Sequence, residues 1–96
     1  MNGKFGVSIK WLSTTCFEIR CDGVTVVSDP FVTDCDNTSL TWEAIENCDI
    51  VCLSHAHFDH ITDIPKLIEK FRPRLLCGDQ TAMPLAKWLN YSPSRI

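Results

Sequence analysis

The chain has 96 residues, enough for one small domain and too few for two. Hydrophobic residues make up 45% and charged residues 22%, the balance of a folded globular chain rather than a disordered one. A net charge of -3 leaves no basic footprint for nucleic acid or anionic membranes, and no run of eighteen apolar residues exists to span a bilayer.

Met1 to Lys10 lacks the continuous apolar core of a secretory signal, so a cytoplasmic address is the default expectation. Phe5, Val7, Ile9 and Trp11 alternate with polar neighbours, the period of a half-buried strand. Cys16 to Cys21 and Val24 to Ser28 flank Asp22-Gly23, which predicts a two-residue type I′ hairpin turn. Such a turn puts Phe17, Ile19 and Cys21 on one face with Val24 and Val26. Asp29-Pro30 ends the strand, because proline cannot donate to a ladder. The six cysteines include no Cys-x-x-Cys pair, and Cys16 and Cys21 are out of phase on one strand. They read as reduced thiols, mostly small buried apolar residues.

The polar stretch from Phe31 to Ser39 predicts a loop, followed by a short helix with Thr41 as N-cap and Glu43 in its first turn. Ile50 to Leu53 fits a strand buried on both faces. Ile61, Ile64, Leu67, Ile68 and Phe71 have helical spacing; the helix starts near Thr62, takes Pro65 in its first turn and ends at Arg72-Pro73. The pattern recurs with Leu75 to Cys77 as strand, Gly78 to Gln80 as loop and Thr81 to Leu89 as a helix capped by Thr81. Ser92 to Ile96 is expected to open another strand. A hairpin followed by two strand–loop–helix units predicts an α/β domain with a mixed β-sheet and flanking helices. The elements are too few to cover both sheet faces, so residues 1–96 read as a single, incomplete domain.

All three histidines fall within six positions, interleaved with a carboxylate: His55, His57, Asp59 and His60. In an extended backbone His55 and His57 project to the same side, where both imidazoles can converge on one metal. Asp59 and His60 are adjacent, so a tight bend is needed to bring them to a second ion beside the first. The segment follows a strand, at the end where α/β sheets form functional crevices. The positive N-terminal end of the next helix favours an anion there.

The segment Ser54-His55-Ala56-His57-Phe58-Asp59-His60 carries the His-x-His-x-Asp-His signature, and the chain resembles the metallo-β-lactamase superfamily over essentially its whole length. The stretches Cys16-Phe17-Glu18-Ile19 and Val27-Ser28-Asp29-Pro30-Phe31 look like the branch that includes ascorbate-phosphate lactonase-like hydrolases. The resemblance implies the N-terminal half of an αββα sandwich and a hydrolase with two divalent ions, zinc first, with manganese or iron as alternatives. It implies His55 and His57 on the first ion, Asp59 and His60 on the second, and a bridging hydroxide that attacks an ester, lactone or phosphoester-type bond. Asp59 would also orient water or pass a proton. Asp29 either supports the metal loop, as the resemblance implies, or is a plain turn residue before proline.

The sequence departs from that pattern in two places. Ser13-Thr14-Thr15 stands where the branch often has Gly-His, and no histidine follows His60 to supply the later ligands. Asp79 does not match the family's bridging aspartate and reads as a loop or capping residue. The expected partners are a small-molecule substrate and either the remaining C-terminal portion of the domain or a second copy. Neither nucleic acid nor membrane is expected. A superfamily nuclease and a non-catalytic metal-binding half-domain are the competing readings.

Overall fold

The computed structural model describes residues 6–33, 35–36, 38–54 and 62–96. Strands β1 (Val7–Ser13), β2 (Cys16–Cys21), β3 (Val24–Ser28), β4 (Ile50–Cys52) and β5 (Arg74–Leu76) form one sheet in sequence order. The first three strands are antiparallel neighbours; β3–β4 and β4–β5 are parallel. Helix α1 (Ile64–Phe71) connects β4 to β5, and helix α2 (Asp79–Leu89) follows β5. The mixed sheet with flanking helices matches the arrangement expected from the sequence.

The hairpin turn forms as its dipeptide dictates. Asp22 and Gly23 have φ of 52° and 80°, the two positive values a type I′ turn requires, and Cys21 pairs with Val24 across it. Cross-strand pairing then fixes two faces. Val27, Val51 and Leu75 align across β3, β4 and β5 and are buried. With Leu12 and Cys16 they meet Ile64 and Leu67 of α1 and Leu85 of α2 in one apolar core. Ile45 and Cys48, from the connection between β3 and β4, complete it.

The opposite face carries a second apolar row. Ile9, Ile19, Val26 and Ile50 are successive partners across four strands, flanked by Trp11 beside Phe17 and Val7 beside Cys21. Ile9 is 66% exposed and Leu76 59%, and Val7, Trp11 and Val24 are exposed as well. The strict alternation of β1 therefore marks a face that lies open among the described residues. An apolar face of this breadth on a sheet is a surface for packing.

Several local expectations are corrected. The segment after Thr41 is a single 3-10 turn, Trp42–Ala44, not an α-helix, although Thr41 caps it through the Glu43 amide at 3.4 Å. Helix α2 starts two residues earlier than Thr81, so Asp79 lies inside its first turn, with Gly78 as N-cap. Residues Pro93–Arg95 form a 3-10 turn rather than a strand, following a left-handed Asn90 that ends α2. Cys16, Cys35 and Cys48 are buried, Cys52 and Cys77 are half-buried, and Cys21 is exposed on the open face. No helix among the described residues is long and apolar enough to cross a membrane.

The two faces set the expected response to truncation. In this 96-residue chain, Leu67→Ala removes a side chain with no exposure and is expected to cost about 2–5 kcal/mol. Ile9→Ala on the open face should cost less than about 1 kcal/mol. Urea unfolding of both variants checks the difference; equal losses would show that the open face is covered.

Candidate functional site

The predicted ligands His55, His57, Asp59 and His60 lie outside the described residues. Their two flanks are described, and both are tied to the same loop. At the leading flank, Asp29 ends β3 with its amide donating to the Cys52 carbonyl at 3.0 Å, which continues the parallel ladder. Its carboxylate accepts from the Ser54 amide at 2.8 Å and from the Ser54 hydroxyl at 3.0 Å. Asp29 has φ of 39°, a left-handed value that aspartate tolerates better than most residues. It is thus both the turn residue before Pro30 and the support of the residue that precedes His55.

At the trailing flank, Asp63 is 3% exposed. One oxygen of its carboxylate, Oδ2, accepts from the Val32 amide at 2.6 Å and the Thr33 amide at 2.9 Å. The Asp63 amide donates to the Pro30 carbonyl at 2.9 Å. The loop from Asp29 to Thr33 is itself fixed: Val32 is fully buried in the core, and the Ser13 hydroxyl donates to the Phe31 carbonyl. The Trp42 amide donates to the Thr33 hydroxyl at 3.1 Å. Ser13 thus ties down the loop. Sequence reasoning missed Asp63, although a carboxylate three residues after His60, before an apolar helix, was the available signal.

The helix-end expectation changes accordingly. Asp63 is the N-cap of α1 but makes no cap bond to the helix amides, because its carboxylate faces the loop. The chain thus places its own carboxyl group beside the positive end of α1, which lowers the attraction of that end for a further anion. The donor set from His55 to His60, three imidazoles and one carboxylate, suits a divalent transition metal. Among the described residues no other group of three His, Cys, Asp or Glu stands together to hold one. A cavity of about 540 Å³ beside α2, lined by Met83, Pro84, Ala86, Lys87, Tyr91 and Pro93, contains none of the residues that hold the motif.

The buried thiols offer neither ligand nor nucleophile in their ordinary state. Burial pushes Cys16 up to about 12, helped by the carboxylates of Asp63 and Asp29, while a hydrogen bond with the Phe31 backbone opposes the rise. Burial likewise pushes Cys48 up to about 12, with Asp49 and Glu18 adding to it. Both remain neutral thiols at physiological pH, and the thiolate is the reactive form.

Comparison with known proteins gives a consistent picture. A family model described as "Beta-lactamase superfamily domain" matches residues 8–90. A protein of Solibacter usitatus named a UPF0173 metal-dependent hydrolase is 34% identical over 77 residues, covering 79% of this chain and 33% of that protein. A similarly named protein of Lawsonia intracellularis is 36% identical over 56 residues, covering 58% of this chain and 24% of its own length. The structure of Igni18, a metallo hydrolase from Ignicoccus hospitalis, superposes with a TM-score of 0.76 at 24% identity, over 85% of this chain and 36% of that one. The chain thus spans a quarter to a third of the length of these relatives.

Two expected outcomes follow from the geometry. Asp29→Ala leaves the Ser54 amide and hydroxyl without their acceptor and should cost about 1–3 kcal/mol in urea unfolding; Asp29→Asn should cost less. For the thiols, the folded chain holds its protons more tightly than the unfolded chain, whose cysteines ionise near 9. Their contribution to stability is therefore fully present below pH 9 and is lost as pH rises towards 12. Thermal unfolding should show a falling midpoint over that window, flattened in the Cys16→Ala/Cys48→Ala variant.

Proposed function

The chain belongs to the β-lactamase superfamily domain family, and from that premise we propose that it supplies the motif-bearing part of a metal-dependent hydrolase. The observation that supports the reading is that Ser54 and Asp63, which flank the motif in the sequence, are both held by the loop from Asp29 to Thr33. In this reading His55 and His57 hold one divalent ion, Asp59 and His60 a second, and zinc is the first choice of metal. When bound, the ions would supply Lewis acidity and a bridging hydroxide at neutral pH to cleave an ester, lactone or phosphoester-type bond. Asp59 has a second task, to orient the metal-activated water or pass a proton. The further ligands come from sequence beyond the motif-bearing part. The protein works in the cytoplasm, where a reducing pool keeps its cysteines as thiols.

The open apolar face fits the same reading. The row Ile9, Ile19, Val26 and Ile50 is what a second layer of sheet would cover, supplied by the remainder of the domain or by a second copy.

Elemental analysis of the full-length protein, purified without chelator, is expected to give about two divalent ions per chain. No metal even after reconstitution with zinc and manganese would overturn the proposal. His57→Ala should leave the circular dichroism spectrum unchanged and lower turnover of a lactone or phosphodiester by more than about a hundredfold, beyond the roughly 10–100-fold losses known for outer partners of metal ligands.

A further inference from the structure

We propose that Asp63 is a positioning residue for the metal-ligand segment, working as the trailing half of a two-point clamp whose leading half is Asp29. The proposal rests on the reading of His55, His57, Asp59 and His60 as ligands, but the geometry behind it belongs to described residues alone. Three hydrogen bonds join Asp63 to the loop about thirty positions earlier in the chain: two accepted by Oδ2 from Val32 and Thr33, and one donated by its amide to Pro30. A helix N-cap aspartate ordinarily spends its carboxylate on the first turn of its own helix. Asp63 makes no such bond, so α1 forgoes a cap while residue 63 is bound to the loop.

The anchor is firm enough to transmit position. Val32 is fully buried in the core, and Phe31 and Thr33 are held from outside the loop by Ser13 and Trp42. Asp29 and Val32 are three residues apart, roughly 10 Å at full stretch. Ser54 and Asp63 are nine residues apart, and a free chain of that length reaches roughly 30 Å. One short loop therefore holds both ends of the ligand segment much closer than the chain length requires. A segment tethered at both ends has less conformational freedom left to lose, so less ordering opposes metal binding.

The test uses the full-length protein with Asp63→Ala, Asp63→Asn and, as control, Leu85→Ala, a buried α2 residue outside the clamp. Asparagine keeps an oxygen that can accept from both Val32 and Thr33 but carries no charge. Two readouts apply: zinc affinity by competition with a chromophoric chelator, and hydrogen exchange of the metal-free protein. Asp63→Ala is expected to weaken zinc binding about 10–100-fold and to speed exchange at Val32, Thr33 and residues 55–61. Asp63→Asn should stay within about threefold of the unaltered protein in both, and Leu85→Ala should lower global stability without changing zinc affinity. Unchanged exchange at residues 55–61 in Asp63→Ala would overturn the proposal. So would an Asp63→Asn variant as impaired as Asp63→Ala, which would assign the effect to charge rather than to the two amide bonds. If the unaltered protein takes up no zinc, the hydrolase reading fails and the exchange data alone decide the clamp.

Discussion

Burying a carboxylate is unfavourable unless amide or hydroxyl donors replace the water it gives up, and Asp29 and Asp63 are both buried on those terms. Asp29 takes the amide and hydroxyl of Ser54; Asp63 takes the amides of Val32 and Thr33. Each bond to an ionised acceptor is worth about 1.5–3 kcal/mol net, against about 1 kcal/mol for the helix cap that Asp63 forgoes. The exchange favours the loop. It also couples the entry of α1 to the exits of β3 and β4, which the parallel ladder already joins.

The rest of the sheet supports that junction by register. Val27, Val51 and Leu75 lie side by side on the core face, and the ladder extends beyond the strands through Asp29 to Cys52 and Leu53 to Leu76. A slip by one residue in β4 would turn Val51 out of the core and detach Ser54 from Asp29 together. Elsewhere in the sheet Glu18, 2% exposed, accepts from the Glu46 amide at 3.0 Å and from Arg20 at 3.3 Å. Asp49 accepts from the Thr25 amide at 2.8 Å. Glu18 on β2 and Asp49 in the connection between β3 and β4 thus supply acceptors to backbone amides that apolar side chains would leave unpaired.

The face that carries Ile9 and Leu76 leaves apolar surface uncovered among the described residues. A domain under 100 residues already buries a modest fraction of its surface, and here a broad sheet face adds to what is left in water. Covering a side chain of this size is worth about 1.5–3 kcal/mol. The row across β1 to β4 therefore represents a large part of the stabilisation open to the domain.

The local rules of the sequence determined a good deal. The Asp22-Gly23 turn, the parallel units, the proline-started helix and the His-x-His-x-Asp-His spacing all depend on neighbouring residues, and backbone sterics and side-chain phase act at that range. What the sequence left undecided was relational. Alternation in β1 showed that one face is apolar but not whether anything covers it, because cover comes from other elements. The segment after Thr41 had a plausible helix cap and Ser92 to Ile96 was expected to open a strand, yet isolated pieces of four or five residues do not hold a helix or a strand without packing, and both formed 3-10 turns. Asp63, beside the helix start expected near Thr62, was given no role by the sequence reading. Only the tertiary structure showed its carboxylate turned to Val32 and Thr33, since the donors that compete for it lie some thirty residues away in sequence and meet it only once the sheet has formed.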